Sequence, residues 1–354
     1  MTRPWTVALI IPTGIGAALG GYAGDALPIA RACSAVADWV ISHPNVLNGA
    51  SLYWPQANVL YVEGYALNQL AAGRWGLEPV TRNRIGLILD QGIESDLQLR
   101  HRQVALAAQA TLGLEVVGYG VTDEPLDVHL QTATSGATWG TIGRPDSLLR
   151  AAERLIQDAQ AEALAVVARF PDEADSPALQ DYRAGHGVDP LAGAEAVISH
   201  LVVRTLGVPC AHAPALQPLP LSESVHPRAL AEELGYTFLP CVLAGLSRAP
   251  RYVPLPQARA ARGSLITQVD AVIVPETACG GEAVLHWGGQ GVPVIAVRDN
   301  ATRMQVRPAD VGLQALSVGS YLEAVGVLAA LKAGVAAGRL TSQAIDLPQF
   351  STGG

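Results

Sequence analysis

Short runs of β-branched and other apolar residues recur along this chain, each followed by a longer alanine- and leucine-rich stretch of helical pattern. This alternation restricts the fold more than any other feature. The runs expected as strands are 6–11, 59–62, 85–89, 116–121, 164–168, 271–274 and 294–297. Helices are expected over 25–41, 63–72, 95–112, 147–159, 190–206, 227–234 and 321–337. Uniformly apolar strands alternating with helices point to an α/β protein of Rossmann-like character, with mostly parallel sheets and helices on both faces. At 354 residues the chain has room for two lobes. The expected division is an N-terminal α/β lobe over 1–160 and a C-terminal α/β lobe over 161–354, the latter carrying a compact βαβ unit at 269–297. The acidic, proline-bracketed stretch PDEADSP (171–177) lies near that boundary.

The first strand run stops at Pro12, and five glycines follow before a helical pattern begins near Asp25. A loop of this kind either lets two backbones pass closely or cradles an anion or small ligand, and both readings are open. On the second reading Thr13, Gly14, Gly16, Gly21 and Asp25 are ligand-binding candidates, Asp25 also being a candidate N-cap. The loop is not a P-loop, because no Lys-Ser or Lys-Thr closes it. It also lacks the acidic residue that ends the second strand in a dinucleotide fingerprint.

Three further segments carry polar groups to predicted strand or helix ends. ISHPNVLNGASLYWP (41–55) supplies His43, Asn45 and Asn48 as ligand-binding candidates, and its residues would serve equally as a helix end and turn. SHLVVRTLGVPCAHAP holds His200, Cys210 and His212. Their spacing matches no standard zinc pattern, so no metal site is assigned, and His200 and His212 stand as catalytic candidates. Upstream, Asp189 precedes a helix start, and Glu195 and His200 are five residues apart, which does not stack them on one helical face. In VDAVIVPETACGGEAVLHWGGQGVPVIAVRDN, Glu276 and Cys279 are catalytic candidates. Thr277, Gly280, Gly281, Asp299 and Asn300 are ligand-binding candidates, and Glu282 lies close by. A cysteine at a helix start is expected to have a lowered thiol pKa, the setting of a nucleophile, although a buried cysteine is inert.

Composition removes several function classes. The net charge is −8 with no basic stripe, so nucleic acid is not an expected partner. No run reaches the length of a membrane-spanning helix, and the N-terminal apolar run has the form of a strand, so a cytoplasmic, bacterial protein is expected. Lys332 is the only lysine, which makes lysine Schiff-base chemistry a poor fit. The four cysteines form no C-x-x-C pair. No motif identifies a cofactor.

PTGIGAALGGYAGDALP, ISHPNVLNGASLYWP, LYVEGY, DQGIE, TWGTIGRPDSLLRAAE, DPLAGAEAVISHLVVRTLGVPCAHAPAL and LGYTFLPCVLAGLSRAP together resemble an uncharacterised family of cyanobacterial and chloroplast proteins, over nearly the whole chain. That resemblance implies a compartment and no activity. The order of the Gly-rich loop, ISHPNVLNGA, LYVEGYALNQL and NRIGLILDQGI, with the tail VDAVIVPETACGGEAV, is similar to the substrate-activating component of the glycine, betaine and proline reductases. In that component a cysteine-containing segment is cut to form a pyruvoyl group. Here the segment reads SLYWPQANVL, with Ser51 but no cysteine, so the resemblance implies a shared scaffold and crevice without self-processing.

The expected function is binding of a small polar, amino-acid- or amine-like metabolite in a crevice at strand C-terminal ends, with enzymatic action on it as one form. A non-catalytic metabolite sensor or regulatory oligomer is the alternative from a different class. A nucleotide-sugar transferase or epimerase is a third reading. Self-association is expected through alanine-rich helices such as AALKAGVAAG.

Overall fold

The strand β1 (Thr6–Leu9) is buried along its whole length because parallel neighbours cover both its edges. In this computed structural model, which describes residues 3–47, 54–171, 176–217, 219–236, 239–256 and 264–342, β1 lies at the middle of a six-stranded parallel sheet. On one side follow β2 (Trp39–Ser42) and β3 (Val59–Tyr61). On the other follow β12 (Ala271–Pro275), β13 (Val294–Val297) and β14 (Ala315–Val318). Taken in chain order within the sheet, this is the 3-2-1-4-5-6 arrangement of a doubly wound fold. A strand covered on both faces and both edges favours apolar side chains, as in Val7, Ala8 and Leu9, and the one polar group, the Thr6 hydroxyl, is satisfied by the Pro4 carbonyl at 3.2 Å. Burying each Val or Leu contributes roughly 1.5–3 kcal/mol.

The chain between β3 and β12 builds a second parallel sheet of β5 (Arg84–Leu89), β6 (Glu115–Val121), β9 (Ala163–Arg169) and β10 (Cys210–Ala215), ordered β10-β9-β5-β6. Two antiparallel pairs complete the strands: β4 (Trp75–Glu78) with β11 (Arg251–Pro254), and β7 (Val128–Thr132) with β8 (Thr138–Ile142). The mixed α/β, mostly parallel architecture is the one expected. The division at residue 160 cuts across both sheets, however. β9 pairs with β5, and β1 with β12, so the first sheet uses both ends of the chain and the second uses its middle.

Helices α1 (Leu27–Ser34), α2 (Pro44–Leu47), α3 (Gly64–Ala71), α10 (Glu282–Gly289) and α11 (Tyr321–Lys332) belong to the first sheet. α1 packs with α11, and α3 with α10. Right-handed crossovers running outward from β1 and β12 in opposite directions put α1 and α10 on opposite faces. The middle of the chain adds α4 (Ser95–Leu112), α5 (Pro145–Asp158), α6 (Pro177–Arg183), α7 (Ala192–Leu206), α8 (Pro227–Ala231) and α9 (Leu239–Leu246). The helix expected over 25–41 ends at Ser34. Trp39–Ser42 is instead β2, whose Val40 and Ile41 are fully buried between β1 and β3. No single described helix is long and apolar enough to cross a membrane.

Candidate functional site

The C-terminal ends of β1, β2, β3 and β12 open on one cavity of about 410 Å³. Ile10, Pro12 and Thr13 come from the end of β1, His43 from the end of β2, Glu63 and Gly64 from the end of β3, and Gly281 and Glu282 from the turn after β12. This is the crevice beside the point where strand order reverses, between β1 and β12, where open α/β sheets bind ligands. The middle unit closes it. α7 packs against α3 and β10 and brings Glu195, Ser199 and His200, while β10 brings His212.

Two histidine–carboxylate pairs face the cavity. Glu63 caps α3, accepting the Tyr65 amide at 2.7 Å, and its other oxygen lies 3.2 Å from His200 Nδ1. That hydrogen bond raises the His200 pKa above its ordinary value. His212 Nε2 lies 3.7 Å from Glu195 Oε2, and its Nδ1 lies 3.2 Å from Ser199 Oγ. The Ser199 hydroxyl donates to the Ala196 carbonyl at 3.4 Å. Its remaining lone pairs are then available to a His212 Nδ1–H, leaving a bare Nε2 toward Glu195. Ser199 is buried and its proton is already committed, so it is not presented as a nucleophile. Burial lowers His212 to about 4 and pushes Glu195 well up, Asp189 and Glu232 adding to the latter. A neutral imidazole beside a protonated carboxyl is the consistent state.

Asp189 and Glu195 also line a second, larger cavity of about 710 Å³, walled by residues such as Leu97, Leu179, Leu216 and Leu230. Glu232 joins them there, accepting from Tyr182 Oη at 2.6 Å and the Ala23 amide at 3.3 Å. Burial raises Asp189 to about 6 and Glu232 to about 8. The small cavity thus holds Glu63, Asp189, Glu195 and Glu282, and no lysine or arginine among its described lining residues.

Of the residues expected from sequence, Thr13, His43, His200, His212 and Gly281 line the cavity. The rest of the glycine loop is a close crossing. Gly14 has φ +70°, and a Cβ there would stand 2.9 Å from the Thr138 carbonyl oxygen. Gly16 is packed against Val188, and a Cβ on Gly21 would run into the Ala17 carbonyl oxygen. Asp25 does not cap α1, whose N-cap is Ala26. Instead it accepts the Gly20 amide at 2.5 Å and faces Arg228 at 3.6 Å, and burial raises it to about 6. Asn300 holds the loop rather than a ligand, bonding the Leu19 amide and carbonyl at 2.9 Å each and Tyr321 Oη at 2.6 Å.

Cys279 is fully buried, and its thiol contacts the Glu276 carbonyl at 3.4 Å. Burial and Glu276 push it up to about 11, the reverse of the lowered value expected of a nucleophile. Glu276 accepts from Ser317 Oγ at 2.7 Å, and Thr277 Oγ1 pairs with Thr302 Oγ1 at 2.8 Å. Gly280 rests on Val306, and Asp299 is exposed, its amide bonded to Gly319. None of these five lines the cavity. Asn45 lies on α2. Asn48 and Ser51 fall outside the described residues. The sequence shows Glu195 and Asp189 only as parts of a helix and its start, and Glu282 as a carboxylate that with Glu276 could orient an amine or a sugar hydroxyl; none of the three stands among the expected site residues, and Glu63 is passed over. The His43–Pro44 pair after an apolar strand was the usable signal for His43. Among the described residues no group of three or more His, Cys, Asp or Glu side chains is placed to hold a metal ion.

The model of a family described as "Protein of unknown function (DUF3326)" matches residues 6–341. A protein of the cyanobacterium Synechococcus sp. (strain ATCC 27144 / PCC 6301 / SAUG 1402/1), named "Uncharacterized lipoprotein syc1174_c", is 62% identical over 338 residues. The match covers 94% of this chain and 92% of that protein. No solved structure matches. The expectation of a cytoplasmic protein is corrected by this comparison, because a lipoprotein is tied to a membrane by its attached lipid.

Proposed function

The chain belongs to the DUF3326 family of proteins of unknown function, and we propose that it binds a small amine-bearing metabolite in the cavity beside β1 and β12, with the Glu63–His200 pair able to move a proton on it. The observation that carries this reading is the convergence of four carboxyl side chains and two His–carboxylate pairs on one cavity whose described lining includes no cationic arginine or lysine. Asp189 and Glu195 are buried there without a cation, which raises both, and an ammonium group entering beside them would favour their charged form. The helix N-termini of α3 and α10 do not reverse this preference, since Glu63 and Glu282 already occupy their favourable field. A diphosphate would meet carboxylates here. The His200–Glu63 geometry is that of a general acid or base held in place by an orienting carboxylate.

The test compares propylamine with propionate, two probes of similar size and opposite charge, by thermal unfolding of the full chain. Propylamine raises Tm, propionate does not, and Glu63→Gln weakens the amine effect. A ligand at about 100 times its Kd stabilises by roughly 2.7 kcal/mol. Equal effects of both probes would overturn the reading.

The Synechococcus relative's name also supports placing this chain at a membrane through an attached lipid. Fractionation of cyanobacterial cells expressing the full chain tests that placement, and recovery in the soluble fraction alone would overturn it.

A further inference from the structure

His43 is 7% exposed, lines the cavity directly after β2, and accepts the Ile11 backbone amide on Nε2 at 2.9 Å. A backbone N–H can only donate, so Nε2 must present its lone pair. While that bond holds, the ring cannot take a second proton, and the single ring proton sits on Nδ1. No described residue accepts it. A donor locked in one tautomer on a side chain that is 7% exposed and lines the cavity is a recognition element, because it is placed to give its hydrogen bond to whatever occupies that cavity.

Resting on the amine reading above, we infer that the metabolite also carries an uncharged oxygen, a carbonyl or hydroxyl close to its amine, which accepts the Nδ1–H of His43. The oxygen is uncharged because the cavity offers it a neutral imidazole and surrounds it with Glu63, Asp189, Glu195 and Glu282. A ligand carboxylate would face those groups with no described guanidinium or ammonium to balance it. The ligand class is therefore an amino amide, amino ketone or amino alcohol, rather than a zwitterionic amino acid. Burial, which lowers His43 to about 4, keeps the same donor in place across the physiological range.

The experiment measures binding of glycinamide, propylamine and glycine to the full chain and to two variants by calorimetry. In H43Q the side-chain oxygen can reach the Nε2 position and satisfy the Ile11 amide, while the Nδ1 donor is lost. In H43N an amide N–H stands near the Nδ1 position instead. Glycinamide is expected to bind at least tenfold tighter than propylamine to the unaltered protein, since a site built to donate a hydrogen bond rejects the analogue lacking its acceptor. That ratio falls toward one in H43Q and returns in part in H43N. Glycinamide and propylamine binding equally well, or a ratio preserved in H43Q, would overturn the inference and leave the amine reading standing. Glycine binding tighter than glycinamide would overturn the uncharged oxygen. Failure of both amines to bind would remove the amine reading and this inference with it. Ring nitrogen-15 shifts of the unaltered protein check the premise without a variant: Nδ1 is expected protonated and Nε2 bare, and the opposite tautomer overturns the inference.

Discussion

Glu63 Oε1 lies 3.2 Å from His200 Nδ1, although 137 residues separate the two in the chain. The contact joins the end of the first sheet's third strand to a helix of the inserted unit. It therefore reports on how the two parallel sheets meet as well as on the chemistry of the cavity between them.

The raised pKa of His200 has a pH signature. A histidine whose folded pKa exceeds its unfolded value binds more protons when native, so its stabilisation is full below the ordinary value of 6.5 and is lost as pH rises through the folded pKa. His200 is partly exposed, so the effect is small and screened by salt. Denaturant unfolding of H200Q and the unaltered protein should therefore differ most in mildly acidic solution and converge at alkaline pH.

The buried carboxyls act in the same direction at higher pH. Asp189, Glu195 and Glu232 hold protons in the native state that they would release in the unfolded chain, so stability falls as pH rises through about 6 and about 8. His43 and His212, both lowered to about 4, oppose this only below their ordinary value of 6.5. Unfolding free energy should thus decline from about pH 7 to about pH 9, with Glu232→Gln flattening the decline. A curve equally steep in the variant would contradict the assignment.

Thiol chemistry should be absent from the native protein. All four cysteines are buried, and burial raises Cys33, Cys210 and Cys279. A disulfide reagent at neutral pH should find fewer than one reactive thiol in the folded chain and all four after denaturation.

The glycine loop should be sensitive to bulk without touching the ligand. Gly21→Ala drives a methyl into the Ala17 carbonyl, and Asn300→Ala removes both bonds to Leu19. Each should cost about 1–3 kcal/mol in urea unfolding. Propylamine affinity should change far less than it does in Glu63→Gln.

Much of this was readable from the chain because local pattern and tertiary environment agreed. The helix Ser95–Leu112 and the strand Val294–Val297 fall where periodicity puts them. His43, His200 and His212 stand out as polar residues beside apolar elements, and all three reach the cavity. Glu63 did not stand out, since a glutamate before a helix looks like a cap, which it also is. Its partner comes from a distant helix, and that of Glu195 from the strand that follows its own helix, and spacing cannot show such pairings. The insertion between β3 and β12 is equally hidden, for both sheets are made of the same apolar strands and neither sheet's start leaves a break in composition. The glycine run advertised a phosphate-like cradle, yet its close neighbours Thr138, Val188 and Ala17 make it a crossing.

Proton release on amine binding tests the central claim most directly. If an ammonium group settles among carboxyls that were protonated for want of a cation, calorimetry of propylamine binding at pH 7 in two buffers of different ionisation enthalpy should show release of up to about one proton, reduced in Glu195→Gln. Binding with no proton exchange, or the same exchange in that variant, would contradict it.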